Sequence, residues 1–498
     1  MCMKLFSLFK RIFKKKKSEE KPNLGQTAEP KKDRERISVP KEHFVEVSRV
    51  LAFITENGVL SGTNKWRVAE DFWFVVKKHK VLSENKLGEL CATNNNRSTY
   101  KFPTIDLLRQ YPDWKVDEKL VWNLISEKDK LLQIFSDYGI QIVNVTLTVG
   151  IAGSFYELVP APGFRFSKIK YLGNDILFSF SVWGTRIISP IPNKRAIGVE
   201  VPNNKEQTNP LRSLIASRKF QVTKSHLPVA LGYTITNDHF MFDLTRMPHL
   251  LVSGASVQCK NLLNLLITSL LYKKSPSQLK FVLIDPSRIE FAVYAKIERQ
   301  FLAKLPDEDS AIVTDARKAL KTLEALKKEM DLRFALLKSA RVMHVDDYNE
   351  KFLDQRLDPA QGHRYMPYIV VVVDSFEDLI LTVGGEMESV LADIAQLAHR
   401  VGIHLVVATH SRKLNLTDRF KTYFHVRMTF KDSDLLEIYD VLGTNRMMDS
   451  GELLNQRGLD TIRVQCAFVD TSEVAAVTEF ISNQQDGSEV FLLPKVDD

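Results

Sequence analysis

The sequence contains few cysteines and no long apolar run, and each scarcity excludes a class of protein. Its four cysteines in 498 residues have no paired spacing, so neither a disulfide framework nor a zinc site is indicated, and a reducing compartment is expected. The most hydrophobic run, Tyr368 to Val373, is only as long as a strand and ends at Asp374. A membrane-spanning helix needs about 18 or more apolar residues, so none is predicted.

Positive charge is concentrated at the start of the chain. The net charge is +8, and residues 1–40 hold 12 Lys or Arg against 5 Asp or Glu, a balance of +7. The remaining residues are therefore almost neutral, and their bulk charge gives no argument that they bind nucleic acid.

The basic N-terminal segment also carries an apolar stripe. Its apolar residues at helical spacing are Leu5, Leu8, Phe9, Ile12 and Phe13. This pattern is typical of a helix that lies on an anionic membrane surface, although a basic solubilising tail has the same composition, and both alternatives stay open. The segment lacks the apolar core of a secretory signal. We therefore expect a cytoplasmic protein, and on the first alternative residues 4–17 contact the inner face of the cytoplasmic membrane.

Composition and periodicity divide the chain into five parts. They are a basic tail and linker at 1–40, a small helical domain at 41–99, an α+β domain at 100–226, an α/β domain at 227–485 and a tail at 486–498. In the second part, the aromatic-rich segments 44–53 and 66–76 are interpreted as helices, which leaves a DNA reader, a docking module or a plain adaptor open. In the third, a helix is predicted at 118–135, with strands at 140–149, 155–160, 185–188 and 196–201.

From Leu227 onward, apolar strands alternate with helical stretches. Strands are predicted at 249–253, 280–285, 368–374, 403–409, 423–428 and 462–468. Helices are predicted between them, notably at 260–271, 316–337 and 386–400. Apolar strands joined by crossover helices form a parallel sheet that is covered on both faces.

The first turn of this α/β region has the frame of a phosphate-binding loop. Gly254 follows a predicted strand, and Lys260 opens a predicted helix, as in the pattern GxxxxGK[ST]. In an intact loop, glycines let backbone N–H groups surround the phosphates, the lysine reaches the β- and γ-phosphates, and a hydroxyl binds Mg²⁺. Here Cys259 stands at the second glycine and Asn261 at the hydroxyl position.

The sequence around this loop resembles the FtsK/SpoIIIE family of DNA translocases, most of all those of Bacteroidetes. The resemblance rests on PHLLVSGASVQCKNLLNLL, LIDPSRIEF, PYIVVVVDSFEDLI and RVGIHLVVATHSR, and upstream on YKFPTIDLL, FYELVPAPGFRFSKIKYL and IISPIPNKRAIGVEVPN. It implies that 100–226 is the family's α-domain and that 227–485 is a RecA-like P-loop ATPase core, a parallel sheet between helices. It also implies ATP and Mg²⁺ as cofactors and double-stranded DNA as a partner.

The resemblance assigns one segment to nucleotide binding. Its residues are Gly254, Ala255, Ser256, Val257, Gln258, Cys259, Lys260 and Asn261. Val257 stands where the family has a glycine, and a β-branched residue resists positive-φ conformations at a cost of about 1–3 kcal/mol. Cys259 adds a side chain where the backbone must approach phosphate. Asn261 offers Mg²⁺ an amide oxygen, a poorer contact than the hydroxyl.

The same resemblance places substitutions at three further catalytic positions. Asp374 would hold the Mg²⁺-bound water, but the general-base glutamate after it is Ser375, a loss expected to forfeit roughly 10²–10⁴ in rate. His410 replaces the sensor glutamine. Leu436 replaces the arginine that would act on a neighbouring subunit's phosphates. Glu377 and Asp378 lie close enough in sequence to substitute for the missing glutamate, but loss of the general base is the expected outcome.

Two histidines that match the family, His249 and His404, lie next to or within predicted strands. A histidine in such a position is more often a core residue than a ligand. We therefore expect both to be buried histidines with satisfied hydrogen bonds.

These residues support two hypotheses. In the first, the chain is a non-enzymatic FtsK-like subunit that forms rings with itself or with an intact FtsK-type motor, contacts duplex DNA, and acts as a scaffold or regulator. In the second, it is a slow ATP-driven double-stranded DNA translocase in chromosome segregation or DNA transfer that uses Lys260 and Asp374. Nucleotide binding without turnover lies between them.

Overall fold

The computed structural model describes twelve stretches of the chain. They are residues 62–69, 72–78, 100–111, 118–180, 185–192, 194–202, 209–410, 416–424, 426–430, 452–455, 461–484 and 489–496. The predictions for residues 1–40, for segment 44–53 and for Leu436 lie outside these stretches.

The first part of the described chain is a six-stranded sheet with two helices. Its strands are β1 (Gly62–Ala69), β2 (Phe72–Lys78), β3 (Ile142–Val149), β4 (Gly153–Pro160), β5 (Arg186–Ile188) and β6 (Ile197–Pro202). Its helices are α1 (Glu118–Asp137) and α2 (Ser167–Phe180). The strand order is β1-β2-β3-β4-β6-β5, and the β2–β3 pair is parallel. The helix and the four strands predicted between residues 118 and 201 are all present.

Residues 62–69 and 72–78 are strands, so the predicted helical domain over 41–99 is wrong for this segment. β1 pairs antiparallel with β2, and β2 runs parallel to β3, from Phe72 opposite Val145 to Val76 opposite Val149. Residues 72–76 read FWFVV, an unbroken run of aromatic and β-branched residues that favours a strand, whereas the helical prediction followed the density of aromatic residues. The segment therefore extends the sheet of the following domain.

Twelve further strands follow. They are β7 (Pro228–Thr234), β8 (His239–Asp243), β9 (Leu250–Ser253), β10 (Leu279–Ile284), β11 (Ala303–Lys304), β12 (Ile312–Val313), β13 (Tyr368–Val373), β14 (Ile403–Thr409), β15 (Val426–Thr429), β16 (Glu452–Asn455), β17 (Thr461–Cys466) and β18 (Phe491–Leu492). Ten of them form one sheet in the order β12-β10-β13-β14-β9-β15-β16-β17-β7-β8, and β11 pairs with β18.

Ten α-helices accompany these strands in the described stretches. They are α3 (Leu211–Ile215), α4 (Arg218–Gln221), α5 (Ser256–Leu271), α6 (Glu298–Phe301), α7 (Ala316–Ser339), α8 (Val345–Leu353), α9 (Phe376–Val383), α10 (Gly385–Leu397), α11 (Asp418–Tyr423) and α12 (Thr471–Ser482). None of the described helices combines the length and apolarity needed to cross a membrane.

Six neighbouring strands of the large sheet, β12-β10-β13-β14-β9-β15, are parallel. Every position of β10, β13 and β14 is buried, as expected of largely apolar strands in a sheet that helices cover on both faces. The predicted parallel α/β core is therefore confirmed. The carboxyl ends of these strands meet at one edge of the sheet, which we call the carboxyl edge.

The two sheets have separate hydrophobic cores. The smaller core includes Val121 of α1 and Leu147 of β3. The larger core includes Tyr100, Leu108 and Phe220. Segments 100–111 and 209–226 were predicted to belong to the α+β domain at 100–226. Their buried residues pack into the larger core instead.

The C-terminal segment 489–496 belongs to the same larger body. β18 runs parallel to β11, and Leu493 is buried in the larger core. The predicted tail at 486–498 therefore contains a strand that the sequence analysis missed.

A glycine in β7 permits the closest approach between β7 and β17. A Cβ on Gly232 would lie 1.9 Å from the carbonyl oxygen of Gln465. We expect Gly232→Ala to force these strands apart and to lower the free energy of unfolding by about 2–3 kcal/mol. Urea unfolding followed by circular dichroism measures this change.

Gly173 provides the matched control, because it lies within α2 and nothing lies within 4 Å of its added Cβ. Gly173→Ala should leave stability unchanged or raise it by about 1 kcal/mol. Equal effects of the two substitutions would contradict the steric explanation.

Candidate functional site

Three of the predicted site residues lie together at the carboxyl edge. β13, β14 and β9 are neighbours in the sheet. Asp374, His410 and Gly254 each directly follow one of these strands, so the strand order brings them together. Ser375 and Lys260 enter the same region, Ser375 as the N-cap of α9 and Lys260 on α5.

The segment predicted as a phosphate loop is helical over most of its length. α5 begins at Ser256, so only Gly254 and Ala255 separate it from β9. The Ala255 carbonyl accepts hydrogen bonds from the N–H groups of Gln258 and Cys259, at 2.9 and 3.1 Å. An intact loop would direct such N–H groups at phosphate oxygens. Here they are used within the helix.

The side chains of this segment explain why α5 begins at Ser256 and not at Lys260, as predicted. A loop that curls around phosphate needs glycines, and none follows Gly254 before Lys260. Val257 projects into solvent with 78% of its surface exposed, while Cys259 is fully buried. Gly254 itself is required by packing, because a Cβ there would lie 2.7 Å from the ring of Phe430.

The ammonium group of Lys260 is paired inside the protein. It forms an ion pair with the Glu290 carboxylate, and both side chains are largely buried. Glu290 lies in the turn after β10, which Asp285 holds by accepting hydrogen bonds from the N–H groups of Arg288 and Phe291 at 3.1 and 3.0 Å. The sequence analysis missed Glu290. Its position after a parallel strand was the available signal, because such turns meet at the carboxyl edge.

The side-chain amide of Asn261 is fully engaged with the backbone. Its nitrogen donates to the Ala467 carbonyl at 2.8 Å, and its oxygen accepts from the N–H of Val469 at 3.1 Å. The oxygen predicted to contact Mg²⁺ thus holds α5 against the segment between β17 and α12.

Asp374 is also hydrogen-bonded to a neighbouring side chain. Its carboxylate is fully buried and lies 2.8 Å from Nε2 of His410, while the Ser375 hydroxyl lies 3.5 Å away. Burial alone would lower the pKa of His410, but the hydrogen bond and charge of Asp374, together with the charge of Glu377, raise it above its ordinary value. A hydrogen-bonded histidine–carboxylate pair therefore lies where Asp374 was predicted to hold a metal-bound water.

Glu377 is brought to the same edge, although it is not paired with Asp374. Both of its carboxylate oxygens accept from the backbone N–H of His410, at 3.0 and 3.1 Å. Ser375 has a left-handed backbone conformation, with φ 49° and ψ 51°, and caps α9 without a side-chain hydrogen bond. Position 375 thus lacks a carboxylate, and the nearby carboxylate of Glu377 holds the backbone at the end of β14.

Comparison with known proteins agrees with this architecture. The model of the FtsK/SpoIIIE family matches residues 210–415, and the model of the FtsK alpha domain matches residues 102–203. The DNA translocase FtsK of Chlorobaculum tepidum is 39% identical over 424 residues, which cover 82% of this chain and 51% of that protein. The chain belongs to the FtsK/SpoIIIE family.

Other relatives show the same partial coverage. The DNA translocase SftA of Bacillus subtilis is 33% identical over 404 residues, 79% of this chain and 41% of that protein. This FtsK/SpoIIIE-family chain therefore spans about half the length of the relatives it matches, or less. Among solved structures, the pCW3 conjugation coupling protein TcpA with ATPγS is 16% identical with a TM-score of 0.47, over 71% of this chain and 99% of that chain.

The residues at the carboxyl edge do not fit the Mg²⁺–ATP that the FtsK/SpoIIIE family implies. The loop N–H groups of Gln258 and Cys259 are bonded within α5. Lys260 is paired with Glu290, and the candidate metal ligand Asp374 is paired with His410. Within the described stretches, no group of three or more His, Cys, Asp or Glu side chains is arranged to hold a metal ion. A polyphosphate would meet carboxylates and already neutralised cations.

His249 and His404 are buried, as predicted. Nδ1 of His249 accepts from the N–H of Leu405 at 3.1 Å. The prediction of satisfied hydrogen bonds is wrong for His404, because neither of its ring nitrogens has a partner among the described residues. Burial lowers the pKa of His404 to about 3, and the charge of His399 acts in the same direction.

We predict that His404 makes this protein less stable in mild acid. In the folded chain His404 stays neutral, whereas in the unfolded chain it binds a proton below about pH 6.5, so stability falls as the pH falls. Lowering the pH from about 7.5 to 5.5 should cost the wild type about 1.4 kcal/mol more than it costs His404→Leu. Urea unfolding at both pH values measures the difference. An identical pH dependence in the two proteins would contradict it.

Proposed function

We propose that this FtsK/SpoIIIE-family chain does not hydrolyse ATP and acts as a ring-forming scaffold or regulatory subunit on duplex DNA. The observation that carries the proposal is the start of α5 at Ser256, which places the N–H groups of Gln258 and Cys259 in helical hydrogen bonds to Ala255. A phosphate chain could use them only if the first turn of the helix unwound.

The charges of the site support the same proposal. Coulombic attraction for phosphate depends on an available cation, and Lys260 is already neutralised by Glu290. The missing general base at Ser375 would slow hydrolysis by roughly 10²–10⁴ even if nucleotide were bound. In this proposal, nucleotide binding and ATP hydrolysis are therefore both impaired, and the parallel core serves as a structural framework.

The partners follow from the family. Relatives carry the name DNA translocase, and we propose that the chain joins a hexameric ring of its own copies or of an intact FtsK-type motor. Duplex DNA is the proposed ligand of that ring. The basic segment 4–17, which lies outside the described residues, is proposed to contact the inner face of the cytoplasmic membrane.

A slow, active translocase is the second candidate, and Glu377 is the observation that favours it. Its carboxylate lies on the turn after Asp374 and bonds the backbone of His410. If the chain is an active translocase, Glu377 would polarise the attacking water in place of the residue at position 375. Lys260 would then break its ion pair with Glu290 and neutralise the phosphate instead.

Phosphate release in the presence of duplex DNA separates the two candidates. We expect the wild type to release phosphate at least about a hundredfold more slowly than a variant carrying Val257→Gly, Cys259→Gly, Asn261→Ser and Ser375→Glu, because that variant regains glycines, a hydroxyl and a base. Lys260→Ala in the same background should abolish the recovered activity.

The control variant carries Val257→Gly, Cys259→Gly and Ser375→Glu but keeps Asn261, because this residue also forms hydrogen bonds with the backbone of Ala467 and Val469. Wild-type turnover of about one per second that Lys260→Ala abolishes would contradict the proposal and favour the translocase.

Binding to duplex DNA tests the ring separately from the chemistry. Residues 1–40 carry +7 of the net +8, so simple charge attraction would be lost on their removal and would fall steeply with salt. We expect a chain of residues 41–498 to retain at least about a tenth of the full chain's affinity in a filter-binding assay at about 0.15 M salt, because an enclosing ring adds contacts. Complete loss of binding would contradict DNA enclosure.

A further inference from the structure

Residues 100–111 form a strap across the larger body, which we call the N-terminal strap. Tyr100 and Leu108 are 2% and 1% exposed within the larger core. The guanidinium of Arg212 donates to the carbonyls of Ile105 and Leu108, at 2.6 and 2.8 Å. The strap is therefore fixed both by burial and by hydrogen bonds to its backbone.

The strap is bound at both ends of α12. Glu473, in the first turn of α12, accepts from the N–H of Arg109 at 2.6 Å, and its other carboxylate oxygen accepts from the N–H of Asp470 at 2.7 Å. Past the other end of the helix, the amide of Gln484 donates to the carbonyl of Lys101 and accepts from its N–H, both at 2.8 Å. One helix thus holds two separate points of the strap.

α5, the helix that replaces the phosphate loop, contacts the same system from its two ends. Near the start of α5, the side chain of Asn261 forms hydrogen bonds with the backbone of Ala467 and Val469. These two residues directly precede Asp470, the N-cap residue of α12. Just beyond its end, the hydroxyl of Tyr272 donates to the carbonyl of Thr104 in the strap at 2.9 Å. α5, α12 and the strap are therefore joined in a closed triangle of contacts.

We propose that Asn261 is a latch that couples the phosphate-loop helix to the N-terminal strap through α12. Asn261 does not touch the strap. It fixes the segment 467–470, whose capping contact orients Glu473, and Glu473 then holds Arg109. Through this path, a change in α5, the helix that carries Lys260, alters how often the strap opens. The coupling goes beyond the proposed function and does not depend on whether ATP is hydrolysed.

The coupling has a physical requirement that makes it measurable. Without the Asn261 amide, the Ala467 carbonyl and the Val469 N–H lose their partner, so this part of the backbone must move toward water or open more often. Two sites are coupled when a change at one alters the equilibrium at the other. Opening of the strap must therefore respond to a substitution at residue 261.

Amide hydrogen exchange of the full chain, without nucleotide, tests the latch. We expect Asn261→Ala to speed exchange in the peptide that covers residues 100–111 about tenfold, with a similar change at the start of α12. Glu473→Gln, which keeps the shape but weakens the bond to Arg109, should speed exchange in the same peptides. The helix α1, in the smaller core, should keep its wild-type rate.

Asn349 supplies the matched control. It is a buried asparagine whose amide donates to the Met366 carbonyl at 2.8 Å and accepts from the Met366 N–H at 2.9 Å, the same type of clamp at another place. Asn349→Ala should leave strap exchange within about threefold of wild type. If Asn261→Ala does not fold, Asn261→Ser replaces it, since a serine is too short to reach both backbone groups.

The two decisive results are distinct. Faster amide hydrogen exchange of the strap in the residue 261 variant, without the same change in Asn349→Ala, supports the proposed coupling through Asn261. Unchanged strap exchange, or an equal increase in Asn349→Ala, overturns it. Neither result depends on ATP turnover. The coupling through Asn261 can therefore be contradicted while the proposed function stands, and the proposed function can be contradicted while the coupling stands.

Discussion

The carbonyl oxygen of Ala255 determines how the site region of this protein is built. By accepting hydrogen bonds from the N–H groups of Gln258 and Cys259, it starts α5 at Ser256 and leaves only Gly254 and Ala255 between strand and helix. Lys260 then lies in the second turn, where its ammonium meets Glu290. Each backbone hydrogen bond contributes about 0.5–1.5 kcal/mol net. A phosphate ligand would therefore compete with the helix and with an ion pair at once.

Three polar side chains predicted to serve nucleotide, Lys260, Asp374 and Asn261, each have a partner within the protein. Buried polar groups need partners, and in a nucleotide-binding site the ligand supplies some of them. Here His410 is hydrogen-bonded to Asp374, Glu290 neutralises Lys260, and the amide of Asn261 bonds backbone groups. These pairings support the proposal that the chain does not hydrolyse ATP.

The parallel core was predictable because β10, β13 and β14 are largely apolar and bounded by crossover helices. The start of α5 was not, because the family resemblance imposed a loop on residues 254–261 although the glycines that a loop needs are absent. β2 was missed because the density of aromatic residues was interpreted as a helix, although its run of aromatic and β-branched residues also favours a strand. The bond between Asn261 and Ala467 joins residues 206 positions apart, and no local pattern encodes such a contact.

Titration with a fluorescent ATP analogue and Mg²⁺ tests most directly whether this site holds nucleotide. The arrangement of Ala255, Lys260 and Asp374 predicts no saturable binding that depends on Lys260 at concentrations up to about 1 mM, which corresponds to about −4 kcal/mol. The wild type and Lys260→Ala should then give the same signal. Micromolar binding by the wild type that Lys260→Ala abolishes would contradict the account.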